Sequence, residues 1–177
     1  MTLLTIECSG SPLSVAVQHE GRVALQVQSE PNRAAETIIS LIDAALHELS
    51  IEVSQLHAVA ITEGPGSFTS LRIGMSTAKG FCFALDKPLI TIPTLPAMTE
   101  AASPYIETDF IVPLIHSKSG EFFFNLFART SPAAPLLEHS YGTLPEIFAQ
   151  VDPNQTAFIG RNLSRWPELN ILRTSAA

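Results

Sequence analysis

The chain has 177 residues, 46% of them apolar and 15% charged, and carries a net charge of −7. That length suits one buried core or two small lobes packed as a unit, and the apolar share excludes a disordered regulator. Seventeen acidic residues against ten thinly spread basic ones oppose close approach to phosphate backbones, which excludes tight, direct nucleic-acid binding by this chain alone. Met1 to Glu7 lacks the basic and long apolar regions of a leader, and nowhere do eighteen apolar residues run together, so a cytoplasmic, non-membrane protein is expected. Cys8 and Cys82 are far apart and in no metal-like spacing, which predicts two reduced, buried thiols rather than a disulfide.

Three short strands open the chain, Leu3 to Glu7, Ser14 to Gln18 and Val23 to Gln28, with turns at Ser9-Gly10-Ser11-Pro12 and Glu20-Gly21. Ile38, Leu41, Ile42, Ala45, Leu46 and Leu49 then recur at helical spacing, predicting an amphipathic helix over Ala34 to Leu49. Ala58 to Thr62 is too short for a helix before Gly64-Pro65-Gly66, so it reads as a buried strand, a tight turn and then a second helix. Lys87-Pro88 ends that helix, Leu89 to Ile92 reads as a strand, and Leu95 to Ala102 as a further helix. Around Ser103-Pro104 the pattern resets, which divides the chain into lobes 1–103 and 104–177. The second lobe reads as strands over Phe110 to Ile115 and Phe122 to Ala128, a Pro-rich connection over Ser131 to Pro135, a short helix over Glu146 to Gln150, and a frayed tail over Arg173 to Ala177. This order fits α/β layering.

The most informative run is Glu63 to Gly80. Gly64 and Gly66 permit backbone angles closed to other residues, and Ser67 is placed to cap the next helix. Such a helix start offers free N–H groups, so Gly64, Gly66 and Ser67 make a candidate phosphate-binding turn, although they match neither the P-loop nor the dinucleotide pattern. Along the helix, Leu71, Met75, Ala78, Cys82 and Leu85 are spaced four, three, four and three, with Gly74, Thr77, Phe81 and Ala84 on a neighbouring face. A helix this apolar is either central to its own core or half-buried in a partner, and Gly74 and Gly80, each costing up to about 1 kcal/mol relative to Ala, favour close approach by another helix.

Gly64-Pro65-Gly66-Ser67-Phe68-Thr69, Leu71-Arg72-Ile73-Gly74 and Ala78-Lys79-Gly80 together resemble the signature of the TsaB (YeaZ) family, glycoprotease-like relatives of TsaD. Ile6-Glu7-Cys8-Ser9, Pro93-Thr94-Leu95 and Gly120-Glu121-Phe122 extend the likeness over Leu3 to Trp166. The resemblance implies an actin-like ATPase (ribonuclease H-like) fold of two small lobes. It implies a catalytically degenerate accessory subunit that binds and activates TsaD, the subunit that transfers a threonylcarbamoyl group to tRNA adenosine, with TsaE as the ATPase partner. Leu71, Arg72, Gly74, Met75, Ala78, Lys79 and Cys82 would form the partner interface, used for homodimerisation when the partner is absent. No cofactor of its own is implied; ATP or ADP would sit at the partner interface, and tRNA would not be bound tightly by this chain. The sequence departs from the family pattern at Glu7 for Asp, Arg33 to Glu36 for a His-Ser pair, Ser70 for Gly and His116-Ser117-Lys118 for Asp-Ala-Arg, and it ends soon after Trp166-Pro167-Glu168, so a shortened second lobe is expected.

Other chemistry finds less support. His19, His47, His57, His116 and His139 form no metal-binding pair, which predicts no metal site. A hydrolase or peptidase using Ser9 or Ser67 lacks the nucleophile-elbow pattern, and paired carboxylates at Glu7 and Glu63 would need two strands side by side. The readings carried forward are a docking subunit, a glycoprotease-like peptidase and a nucleotide-binding ATPase remnant.

Overall fold

A computed structural model describes residues 1–28, 30, 33–137 and 140–170. His139 and the tail from Arg173 to Ala177 lie outside the described residues. The chain divides into two compact units, Met1–Thr94 and Leu95–Ala177.

The first unit is a five-stranded sheet with two helices on one face. Its strands are β1 (Thr2–Glu7), β2 (Leu13–His19), β3 (Arg22–Gln28), β4 (Ala58–Gly64) and β5 (Leu89–Pro93), in spatial order β3-β2-β1-β4-β5. The first three are antiparallel, whereas β4 pairs parallel with both β1 and β5. Alternation sets their facing: Leu4 and Ile6 of β1, with Leu13, Val15 and Val17 of β2, are buried on the helix side. β4 is central and reads as a continuous apolar run because Ala58 to Thr62 are all buried.

Helices α1 (Ala34–Leu49) and α2 (Phe68–Leu85) close that core. The predicted stripe of α1 packs inward: Ile38, Ile42, Ala45, Leu46 and Leu49 are buried. Both helices end on a left-handed residue, Ser50 and Asp86, so α2 stops one residue before Lys87-Pro88.

The second unit begins within α3 (Thr94–Ala102), continues through β6 (Phe110–His116), β7 (Glu121–Phe124), β8 (Phe127–Ala128), β9 (Ser131–Pro135) and β10 (Ser140–Thr143), and ends with α4 (Leu144–Phe148), β11 (Thr156–Gly160) and α5 (Pro167–Asn170). Its sheet runs β10-β7-β6-β8-β9, and β11 pairs parallel with β6. Phe122, Phe124, Val112, Leu114, Leu144 and Ile147 form its core. Three local expectations are corrected here. The single strand over Phe122 to Ala128 is two, because Asn125 breaks the ladder and its Oδ1 accepts the N–H groups of Leu126 and Leu137. The Pro-rich stretch from Ser131 to Pro135 is a strand, permitted because it lies at a sheet edge where proline's missing donor costs no ladder bond. The helix expected over Glu146 to Gln150 starts at Leu144, since Thr143 and Glu146 form a reciprocal capping box.

Candidate docking face

The turn before α2 is built against the turn after β1. Gly64 adopts φ +119, which favours glycine, and a Cβ at Gly66 would collide with the backbone of Ser9. Ser67 donates its N–H to the Ser9 carbonyl at 2.6 Å, and its hydroxyl caps the helix by accepting from the Ser70 N–H at 3.5 Å. The amide and hydroxyl of Ser67, expected to greet a phosphate, are therefore engaged within the chain. Gly64, Gly66 and Ser67 fit a structural turn, with Gly66 bare because Ser9 fills the space in front of it.

Ser9 is buried, and its N–H and hydroxyl both donate to the Glu7 carboxylate, the N–H at 2.8 Å. The β1–β4 register places Glu7 beyond the Ile6–Ile61 pair, beside Thr62, while Glu63 is exposed. The histidines are dispersed: the Thr2 N–H donates to His57 Nδ1 at 3.0 Å, His19 Nδ1 lies 2.8 Å from the Thr2 hydroxyl, and the His116 ring contacts those of Phe122 and Trp166. Among the described residues no three His, Cys, Asp or Glu side chains come together as metal ligands, and no helix is long and apolar enough to cross a membrane.

On α2 itself the predicted seam faces inward. Ala78 is 0% exposed and Gly74 is buried, while Leu71, Met75, Cys82 and Leu85 are half-buried and pack against the core of the first unit. Of the seven residues expected at a partner interface, only Arg72 and Lys79 are fully on the surface. Cys82 is half-buried rather than buried as expected; Cys8 is buried and its thiol is pushed up to about 11, chiefly by desolvation.

The surface of α2 is a different line of residues. Phe68, Arg72, Ser76, Lys79 and Phe83, spaced four, four, three and four, are all exposed, Phe83 to 92%. The Arg72 guanidinium lies 3.9 Å over the Phe68 ring. Beside this ridge, Thr77, Gly80, Phe81 and Ala84 join Ile39 of α1 around an open apolar groove of about 330 Å³. The two glycines of α2 part company here. A Cβ at Gly74 would strike the Cys8 side chain, so close packing within the chain explains it, whereas a Cβ at Gly80 would meet nothing within 4 Å.

Sequence reasoning singled out Gly80 but missed Phe68, Ser76, Phe83 and Ile39 as surface residues. The exposed line is as regularly spaced as the seam and carries both cations of the helix, which is the signal that could have found it.

A family model described as "TsaD: tRNA N6-adenosine threonylcarbamoyltransferase" matches residues 31–125, more than half of the chain. A Haemophilus influenzae relative, "tRNA threonylcarbamoyladenosine biosynthesis protein TsaB", is 31% identical over 129 residues, which cover 73% of this chain and 55% of that protein. A solved structure titled "YeaZ from Pseudomonas aeruginosa" superposes with a TM-score of 0.69 at 26% identity, covering 81% of this chain and 66% of the other. A Bacteroides thetaiotaomicron protein described as having an actin-like ATPase fold superposes at 0.50 with 11% identity, over 96% and 86% of the two chains, and speaks to fold alone. This chain thus spans little more than half the length of its Haemophilus relative. The actin-like α/β fold and these likenesses agree: the chain belongs to the TsaD family, and within it is of the TsaB (YeaZ) kind.

Proposed function

We propose that this chain is a cytoplasmic, non-catalytic accessory subunit in the synthesis of threonylcarbamoyladenosine in tRNA, and that it binds and activates a TsaD homologue through the outward face of α1 and α2. The observation that carries this reading is the open groove and ridge around Gly80, where apolar side chains as large as Phe83 stand in solvent on a well-formed helix. A glycine at a helix interior position costs about 1 kcal/mol relative to Ala, and among the described residues Gly80 has no neighbour to offset that cost. Close approach by a partner's backbone supplies the missing reason.

A partner of the same family would carry a two-helix face in the corresponding place, so the two proteins would meet as a pseudo-symmetric pair. In the absence of that partner, two copies of this chain associate through the same surface, because an apolar patch of this kind seldom stays uncovered. A TsaE homologue joins the complex as the ATPase. ATP or ADP, where the complex uses it, is held together with the partner, since the Ser67 amide and hydroxyl already have partners in the chain.

The test is size-exclusion chromatography with light scattering of this chain mixed with the TsaD homologue from the same source. A heterodimer that is lost with Phe83→Glu supports the reading, because Phe83 is 92% exposed and the substitution leaves the fold intact. No complex, or one indifferent to Phe83→Glu and Gly80→Leu together, overturns it.

A further inference from the structure

The second unit holds a guanidinium with no counter-charge. Arg129 and Thr130 form the two-residue turn between β8 and β9, since Ala128 pairs with Ser131. The Arg129 N–H donates to the Asp109 carbonyl at 2.9 Å, which ties this turn to the residue just before β6. Arg129 is half-buried, whereas the other arginines among the described residues are exposed. Its Nε is closed off from solvent and meets no hydrogen-bond acceptor among the described residues. None of their carboxylates comes within ion-pair distance of the guanidinium, that of Asp109 included.

Both features oppose folding unless something else pairs with them. A buried donor without an acceptor has lost the water it held in the unfolded chain, and a guanidinium drawn partly out of water has lost charge solvation. Thr130 and Ser131 follow with exposed hydroxyls that bond to nothing among the described residues, so three consecutive residues hold unspent donors. The planar fork of a guanidinium matches the paired oxygens of a carboxylate or a phosphate. Glu107 and Asp109 are exposed close by in the sequence, and the whole chain carries a net charge of −7. A singly charged carboxylate therefore meets less repulsion here than a doubly charged phosphate.

We propose that Arg129 anchors a carboxylate-binding site on the β8–β9 turn, with Thr130 and Ser131 at its rim. The ligand carboxylate accepts from Nε and from a neighbouring guanidinium nitrogen, which supplies at once the missing acceptor and the missing counter-charge. An acidic side chain of a partner protein and a free organic acid offer the same group. The site is built by the second unit, so its failure leaves the docking reading of the first unit untouched.

The test is a titration of the whole chain with sodium acetate at constant ionic strength. It is followed through the Arg129 Nε–H resonance in a proton–nitrogen correlation spectrum, assigned by its loss in Arg129→Met. The resonance is expected to move with acetate and to saturate; one that stays still, or drifts without saturating, overturns the site. Denaturant melts give a second readout. In chloride, Arg129→Met is expected to unfold at the same midpoint as the parent or a higher one, because methionine keeps the apolar stem and leaves no buried donor unpaired. Acetate in place of chloride is expected to raise the parent's midpoint by more than that of Arg129→Met, and equal rises overturn the proposal. Lower stability of Arg129→Met or of Asp109→Asn in chloride would show that the guanidinium already has its counter-charge within the chain, which also overturns it. Repeating the titration with aspartate blocked as its N-acetyl, C-amide derivative separates the sources. Tighter binding than acetate supports the site as one for a partner's acidic side chain, and weaker binding supports it as one for a free acid.

Discussion

The inward and outward faces of α2 are equally regular in spacing and do opposite things. The inward line, Leu71, Gly74, Met75, Ala78 and Cys82, meets β1 and β4 and is packed so closely that Gly74 touches Cys8 without room for a methyl group. The outward line, Phe68, Arg72, Ser76, Lys79 and Phe83, has no cover among the described residues, and a Cβ on the glycine beside it would meet none of them within 4 Å. Apolarity alone does not mark an interface; what separates the two faces is whether the chain itself already supplies the neighbours.

The sharpest way to break this comparison is to place the same charge on each face. Ala78→Glu buries a carboxylate with no partner in the core, a change that costs at least about 4 kcal/mol and leaves little folded protein. Phe83→Glu is expected to shift the unfolding midpoint hardly at all and to act only on association. Denaturant melts of the two variants, with light scattering of the second, check both halves. If Ala78→Glu folds normally, the inward assignment of the seam fails.

The first unit was largely legible because its signals are local and strong. β1 to β3 alternate, α1 carries one clean stripe, and Gly64-Pro65-Gly66 followed by Ser67 marks where α2 starts. The face of α2 was not legible. Its burial follows from which strands lie beneath it, and spacing alone offers two equally regular lines, at Leu71–Met75–Ala78–Cys82 and at Phe68–Arg72–Ser76–Lys79–Phe83, of which only the cations Arg72 and Lys79 mark the outward one. Ser67 likewise reads as a phosphate ligand until the Ser9 carbonyl is found on its amide, a contact between residues far apart in the chain. In the second unit β10 and β11 carry too few residues for a period to emerge, and the prolines of β9 point away from strand until its edge position is known.

A second test sharpens the inward side by pH. Burial holds the Cys8 thiol at about 11, above the ordinary value of about 8.5 for a free cysteine. The unfolded chain therefore loses this proton first as pH rises. Its contribution to stability is complete below about pH 8.5 and is lost as pH climbs toward 11. Between about pH 8 and 10.5, denaturation midpoints should fall more steeply for the parent than for Cys8→Ala, whose slope reports all other groups. Equal slopes would mean that Cys8 is not sealed beneath α2.

Smaller again are the glycine substitutions, which carry the comparison within one helix. Gly74→Ala gains helix propensity but forces the new methyl group into the Cys8 side chain, and overpacking of that kind costs about 1 to 3 kcal/mol, so net destabilisation is expected in a denaturant melt.

Gly80→Ala has the opposite sign. With nothing within 4 Å to obstruct the methyl group, the isolated chain should gain about 0.5 to 1 kcal/mol from the lower entropy of its unfolded state and the better helix former. The same methyl group stands on the floor of the groove, where a partner's helix would otherwise approach the backbone, so association should weaken as the monomer strengthens. Those two effects cannot both come from a surface position with no role. A Gly80→Ala chain that is more stable and still binds its partner with unchanged affinity would show that the helix spacing is set elsewhere, by Phe83 and the flanking charges, and that Gly80 is merely a tolerated weakness in α2.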